Sequence, residues 1–232
     1  MDTMLEARSL TKRYDKLTAL SDVSFSLPAG RIVGLRGPNG SGKTTLIKIA
    51  AGLLTPTAGT VTIAGKPVGT ETKALVSYLP DRLCLPDWMC VQDALDYFGD
   101  FFSDFDGVRA QQMLNRLSVP ADMRIKALSK GMRDKLQLVL TMSPRARLYL
   151  LDEPIGGVDP ATRDYILETI IGNYEPESTI LISTHLIADV EKVLDEFLFL
   201  KNGSIVMHDA TDNVRETQGK SLDELFREVF KC

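Results

Sequence analysis

Residues 34–46 read GLRGPNGSGKTTL, and the rest of the 232-residue chain is best read outward from them. The stretch follows an apolar run, "RIVGLRG" from Arg31, and precedes a helical one, so strand, glycine-rich turn and helix come in that order. Within it Gly37, Pro38, Asn39, Gly40, Ser41, Gly42, Lys43 and Thr44 match the phosphate-loop pattern position by position. The spacing has a physical reason. Glycines let successive backbone N–H groups turn toward one point and form an anion nest, and the N-terminus of the following helix adds its dipole. Lys43 contributes a point charge for the β- and γ-phosphates of a nucleotide, and Thr44 offers a hydroxyl to Mg²⁺.

Around this loop the hydrophobic periods set the organisation. Upstream, "LEARSLTKRY" and "ALSDVSFSLP" read as short strands, and "GTVTIAG" downstream as another. The helix that follows "GKTT" should end near Gly52. From Asp93 to about Met142 the period turns helical, with "DALDYFGDFF" and "VRAQQMLNRL" as its clearest runs. After Pro144 the strand pattern returns in "RLYLLDEP", a helix is expected from about Pro160 to Gly172, and the apolar run of "STILIST" suits a buried parallel strand. "EFLFLKNGSIVMHD" reads as a hairpin turning at Asn202-Gly203. Last, "SLDELFREVF" puts Leu222, Leu225, Phe226, Val229 and Phe230 on one helical face, which fits either packing on the domain or docking of a partner. Strands alternating with helices around a helical insertion predict an α/β core with a parallel sheet.

Composition narrows the classes. An apolar content of 44% at this length can bury a real core, as one domain with an insertion or as two subdomains. The net charge of -4 gives no global field toward nucleic acid or anionic lipid. Locally, seven Lys or Arg stand against the single acid Asp134 between Met123 and Arg147. That segment holds "ALSKGMRDKLQL", residues 127–138, with Ser129 and Gly131 at a helix start; it fits a solvated helix face or a contact with an anion. The N-terminus lacks the apolar core of a signal peptide and no run long enough to span a membrane occurs, so a cytosolic chain is expected. Cys84, Cys90 and Cys232 form no Cys-x-x-Cys pair, which argues against a disulfide framework and against a zinc site.

Two more clusters carry chemistry. Asp152 and Glu153 stand at the carboxyl end of an apolar strand, where open α/β sheets place ligands. Asp152 is suited to hold Mg²⁺ through water, and Glu153 to orient and deprotonate an attacking water. His185 ends the next apolar strand in "LISTH" and is placed to touch a γ-phosphate, whereas His208 in the terminal hairpin reads as structural.

Phosphate loop, helical block with Ser-x-Gly, strand with Asp-Glu and strand with His, in this order, resemble the nucleotide-binding subunit of an ABC transporter over nearly the whole chain. The resemblance implies a P-loop NTPase core whose mixed sheet combines parallel central strands with antiparallel N-terminal ones. It divides the chain into residues 1–82 and 144–232 of the ATP-binding core and an inserted helical subdomain, 83–143. ATP and Mg²⁺ are the implied ligands, with Lys43, Glu153 and His185 catalytic, Thr45 beside the phosphate loop, and Thr44, Asp152 and Asp81 at the metal. Tyr14 matches the aromatic that stacks on adenine. Leu128-Ser129-Lys130-Gly131-Met132 matches the signature that caps the γ-phosphate held by the other protomer of a head-to-tail dimer, and Asp159 in "GGVDP" would touch that protomer's phosphate loop.

Departures from the family pattern are confined to three places. Asp81 replaces the usual linker glutamine and is shorter and charged. Lys130 and Met132 replace a glycine and a glutamine of the signature while Ser129 and Gly131 remain, and "GGVD" replaces Ser-x-Leu-Asp. Leu83, Leu85 and Trp88 resemble the surface that receives a coupling helix, although burial within the subdomain leaves the same pattern. The implied function is an ATPase at the cytoplasmic face of the membrane, driving export through a separate integral membrane permease subunit and pairing with itself or a related chain. A soluble ABC-type ATPase acting on ribosomes or DNA, and a nucleotide-sensing module without turnover, are the competing readings; the chain lacks the tandem domains or coiled-coil insertions of the former.

Overall fold

The computed structural model describes residues 2–80, 85–156, 158, 160–172 and 174–230. Two strands of twelve residues open it, β1 (Thr3–Tyr14) and β2 (Leu17–Pro28). Each starts two residues before the ten-residue run read from the sequence, and bulges absorb the breaks in their pattern. Register shifts flank Leu10, and Ser9 and Asp22 on either side of the pair adopt φ of 47° and 52°. β3 (Ile32–Arg36), α1 (Lys43–Ala50), β4 (Ala58–Ile63), β5 (Lys66–Pro67), α2 (Thr70–Lys73) and β6 (Val76–Leu79) follow. Three longer helices then intervene, α3 (Val91–Phe101), α4 (Gly107–Arg116) and α5 (Lys130–Met142). The chain continues as β7 (Leu148–Asp152), α6 (Pro160–Gly172), β8 (Thr179–Ser183), α7 (Ile187–Val190), β9 (Glu196–Lys201), β10 (Ser204–Ala210), α8 (Thr211–Gln218) and α9 (Leu222–Phe230).

These strands form two sheets. The four-stranded sheet, in the order β2-β1-β4-β5, is antiparallel throughout. The six-stranded sheet runs β10-β9-β3-β8-β7-β6, parallel from β9 to β6, with β10 antiparallel at one edge. β3, β7 and β8 are buried along their whole length, as parallel strands covered on both faces must be.

Alternation along the strands assigns two cores. Leu148 and Leu150 of β7 and Leu198 and Leu200 of β9 join Leu46 and Ile47 of α1 and the inner faces of β1 and β2. Tyr149, Leu151, Phe197 and Phe199, one residue out of step, pack on the opposite side against α3, α5, α6 and α9. The Tyr149 hydroxyl donates to the Pro144 carbonyl at 2.8 Å and accepts from the Ala146 N–H at 3.2 Å, with the ring fully buried. Tyr149→Phe removes both hydrogen bonds at once, leaving the Pro144 carbonyl and the Ala146 N–H without the hydroxyl, and is expected to lower stability by about 1–2 kcal/mol, read from urea unfolding midpoints; an unchanged midpoint would contradict this.

The C-terminal elements follow their sequence signals. Asn202 and Gly203 have φ of 48° and 79°, the two positive angles that a twisted two-residue hairpin needs. α9 starts in a reciprocal cap, with the Glu224 N–H donating to Ser221 Oγ and the Ser221 N–H to the Glu224 carboxylate. Leu222 and Leu225 are buried, and Phe226, Val229 and Phe230 lie half-buried against the same core, so this apolar face packs on the domain. The Ser-x-Gly helix start is the beginning of α5, whose second half, from Leu136 to Met142, is buried. No helix among the described residues is long and apolar enough to cross a membrane.

Candidate functional site

β3 delivers the chain into the phosphate loop, and the loop's shape leaves no room for side chains at two of its glycines. A Cβ on Gly37 would stand 2.1 Å from the Leu200 carbonyl oxygen, and one on Gly42, at φ 107°, 2.4 Å from that of Ala19. The β9–β10 turn braces the loop from outside, the Gly203 N–H donating to the Ser41 carbonyl at 3.0 Å. α1 begins at Lys43 with glycine as its N-cap and no side chain capping its first turn, so those N–H groups are left for an anion. Gly40, Pro38, Asn39 and Thr44 are exposed, Thr45 half-buried.

Lys43 is buried. Its ammonium donates to the carbonyls of Gly37 at 2.8 Å and Pro38 at 3.3 Å, held beneath the loop. Burial pushes its pKa below the ordinary lysine value, and the charges of Glu153 and Asp152 pull it back up.

Opposite stands the acid pair. Asp152, the last residue of β7, is 2% exposed and accepts from the Ser183 hydroxyl at 2.6 Å, while its second oxygen has no protein partner. The Ser41 hydroxyl is likewise buried and unpartnered. Two orphaned oxygens, one a carboxylate and one on the phosphate loop, are what a site for a hydrated cation and phosphate leaves behind in the protein. Glu153 leaves the strand at φ 53°, a left-handed conformation that costs a non-glycine residue about 1–2 kcal/mol. Its N–H reaches both the hydroxyl and the carbonyl of Ser183 at 3.1 Å. His185 meets the Glu153 carboxylate twice, through Nδ1 at 2.8 Å and through its main-chain N–H at 3.3 Å.

These groups share one cavity of about 440 Å³, lined by Asn39, Asp152, Glu153 and His185 together with Lys130 and Gln137 of α5. The geometry is that of a nucleotide site at the carboxyl ends of parallel strands. A family model described as "ABC transporter" matches residues 20–156, more than half of the chain. The chain belongs to the ABC transporter family. The ABC transporter ATP-binding protein YtrB of Bacillus subtilis is 31% identical over 231 residues, which cover 98% of this chain and 75% of that protein. The Nod factor export ATP-binding protein I of Ralstonia nicotianae is 30% identical over 239 residues, 96% and 74% of the two chains. A solved ATP-binding subunit of an ABC transporter superposes with a TM-score of 0.86 at 30% identity, covering 98% of this chain and all of that one. A bacterial Atm1-family ABC exporter, at 20% identity and a TM-score of 0.82, shares the fold over 43% of its own length. As an ABC ATP-binding subunit, the protein binds nucleotide and hydrolyses ATP to drive transport.

Set against the sequence expectations, the ABC chain brings Asn39, Asp152, Glu153 and His185 to one cavity, with Lys43 close enough to feel both acids. Tyr14 is not among its lining residues: it ends β1, is 41% exposed, and has the Lys12 ammonium 5.0 Å from its ring centre. Ser129 caps α5, accepting from the Met132 N–H at 3.2 Å, and neither it nor Gly131 lines the chain's own cavity. Asp81, Asp159 and Leu83 lie outside the described residues. Residues the sequence did not single out include Ser183, which links Asp152 to the Glu153 backbone, and Gln137, whose amide donates to the Pro80 carbonyl. A hydroxyl ending an apolar strand beside a paired carboxylate strand was the available signal for Ser183; nothing local marked Gln137.

Proposed function

We propose that two copies of this subunit, or one copy and a related chain, close head to tail over ATP and that hydrolysis drives export through a separate integral membrane permease subunit. The observation that carries this is the Glu153–His185 pair, hydrogen-bonded through Nδ1 at 2.8 Å and lining a cavity together with the buried Asp152. Glu153 accepts the proton of the attacking water; His185 fixes the carboxylate's direction and reaches toward the γ-phosphate. Lys43 offers its charge to the β- and γ-phosphates, and the backbone N–H groups from Asn39 to Thr45 cradle them. Thr44 and Asp152 are the residues that would hold Mg²⁺, consistent with the unpartnered Asp152 oxygen, and Asp81 completes the proposed set. Bound there, the ion supplies neutralisation of the charge that develops on the phosphates. Tyr14 stacks on adenine.

From the partner chain come Ser129, Gly131 and Asp159. A Cβ at Gly131 would meet nothing within 4 Å among the described residues, which leaves room there for another molecule's approach. Export rather than import is favoured by the likeness to a Nod factor export ATP-binding protein. For the membrane partner, an apolar cavity of about 400 Å³ lies between Leu53, Tyr78, Leu85, Phe98, Phe102 and Leu140, and Trp88 before α3 and Tyr97 and Phe101 on it are exposed. The subunit then sits at the cytoplasmic face, held by that partner.

Tagging the chain in its native cell, extracting membranes in mild detergent and identifying what copurifies tests the proposal. A stoichiometric polypeptide with several hydrophobic spans is expected. Recovery only in the soluble fraction, with ribosomes, nucleic acid or nothing attached, would overturn the transport assignment for this chain's partner while leaving its ATPase chemistry in place.

A further inference from the structure

The phosphate-loop pattern begins at Gly37 and asks nothing of the residue before it. Here that residue is Arg36, the last position of β3, and it is buried at 8% exposure. A guanidinium enclosed in this way needs a partner, since an uncompensated charge out of water is expensive. The partner comes from the far end of the chain. Asp223 of α9 receives Arg36 Nη1 at 2.8 Å, and the Phe226 ring lies under the guanidinium with 3.7 Å between its carbon and the ring centre.

Neighbouring side chains hold this arrangement in place. Phe226 stacks on Phe230 at 4.1 Å and meets Phe199 of β9 edge-on at 5.3 Å, while Arg227 takes the second oxygen of Asp223 at 2.7 Å. In the sheet, Arg36 stands opposite the same Phe199. Burial lowers the Arg36 pKa from its ordinary value and the bond from Asp223 raises it again; Arg36 in turn holds the Asp223 carboxyl below the usual range. The guanidinium is thus fixed on two sides, by charge and by an aromatic face.

One peptide further on, the Gly37 carbonyl accepts the Lys43 ammonium at 2.8 Å. A continuous path therefore runs from α9 through Asp223 and Arg36 to the backbone that holds the phosphate-binding lysine. We propose that Asp223 and Arg36 are positioning residues for ATP, through which the C-terminal helix sets the phosphate loop in register with its ligand. The inference rests on reading Lys43 as the ligand of the ATP phosphates.

Three variants test it, Asp223→Ala, Arg36→Met and Arg36→Lys, each measured for the KM for ATP, for kcat and for nucleotide-free melting temperature, beside Tyr149→Phe as a purely structural control. Asp223→Ala and Arg36→Met are expected to raise KM by about tenfold, the order seen when a positioned group shifts by a fraction of an ångström. The pair combined should do little more than either alone, because the two residues act as one unit. Arg36→Lys, which keeps the charge, should recover part of the loss. Tyr149→Phe should lower the melting temperature and leave KM where it was. Arg36→Met leaves Asp223 partly exposed and still paired with Arg227, which makes it the safer variant to fold, so the test survives failure of Asp223→Ala, which strands the buried guanidinium. An unchanged KM in Arg36→Met, with melting lowered as in Tyr149→Phe, would overturn the inference alone. Wild-type protein that neither binds nor hydrolyses ATP would overturn it together with the functional reading beneath it.

Discussion

Glu153→Gln is expected to bind ATP as the wild type does and to hydrolyse it about 10² to 10⁴ times more slowly. The amide has the size of the carboxylate and retains an oxygen that can accept from the His185 main-chain N–H, now 3.3 Å from the carboxylate, so the cavity keeps its shape. What is lost is basicity. The substitution also leaves the backbone account unchanged, because glutamine is as strained as glutamate at φ 53°. Phosphate release at saturating ATP, set beside equilibrium binding of ATP, separates the two effects. Turnover within a factor of two of wild type would remove Glu153 as the base and favour a chain whose binding of nucleotide, not its hydrolysis, matters.

Lys43→Met should fail earlier, at binding. Methionine keeps much of the buried stem but drops the ammonium that now bridges the Gly37 and Pro38 carbonyls at 2.8 and 3.3 Å. Two loop oxygens lose their donor while the phosphates lose their counter-charge. Both losses act in the same direction, and the rate at fixed ATP is expected to drop by about 10² to 10³, the scale set by removal of one preorganised donor from a reacting oxyanion. Because burial already depresses the Lys43 pKa, the site holds that charge against a desolvation penalty, offset by Asp152 and Glu153. Hydrolysis at close to the wild-type rate in Lys43→Met would mean that the loop binds something other than the ATP phosphates.

Much of this site was legible in the sequence because its parts are coded locally. Gly37 and Gly42 are demanded by carbonyls that any Cβ would strike, and a glycine at a tight loop position is visible in a one-dimensional text. The Asp152-Glu153 pair and His185 end apolar strands, and strand ends are where a parallel sheet exposes its chemistry. The alternation that splits Leu148 and Leu150 from Tyr149 and Leu151 was hidden, since a strand buried on both faces shows no period. Hidden too were contacts across the fold that no motif encodes. Arg36 and Asp223 are 187 positions apart, and neither belongs to a motif. Gln137 lies within the signature helix three residues beyond Asp134, where a helical face brings it to the cavity without any local mark. β1 and β2 were legible over ten residues each, through the bulges at Ser9 and Asp22, and only their first two residues, Thr3-Met4 and Leu17-Thr18, lay outside the runs read as strands.

One chain supplies Asn39, Asp152, Glu153 and His185 to its own cavity, with Lys43 close to both acids, but neither Ser129 nor Gly131. The account therefore requires a second chain to complete the site. The most direct test is the light-scattering mass of Glu153→Gln, which binds ATP without consuming it, measured with and without Mg²⁺ and ATP. A mass of two chains in the presence of nucleotide and of one chain in its absence is the predicted result. A single-chain mass under saturating, demonstrably bound ATP would contradict the head-to-tail arrangement on which the assignment of Ser129, Gly131 and Asp159 depends.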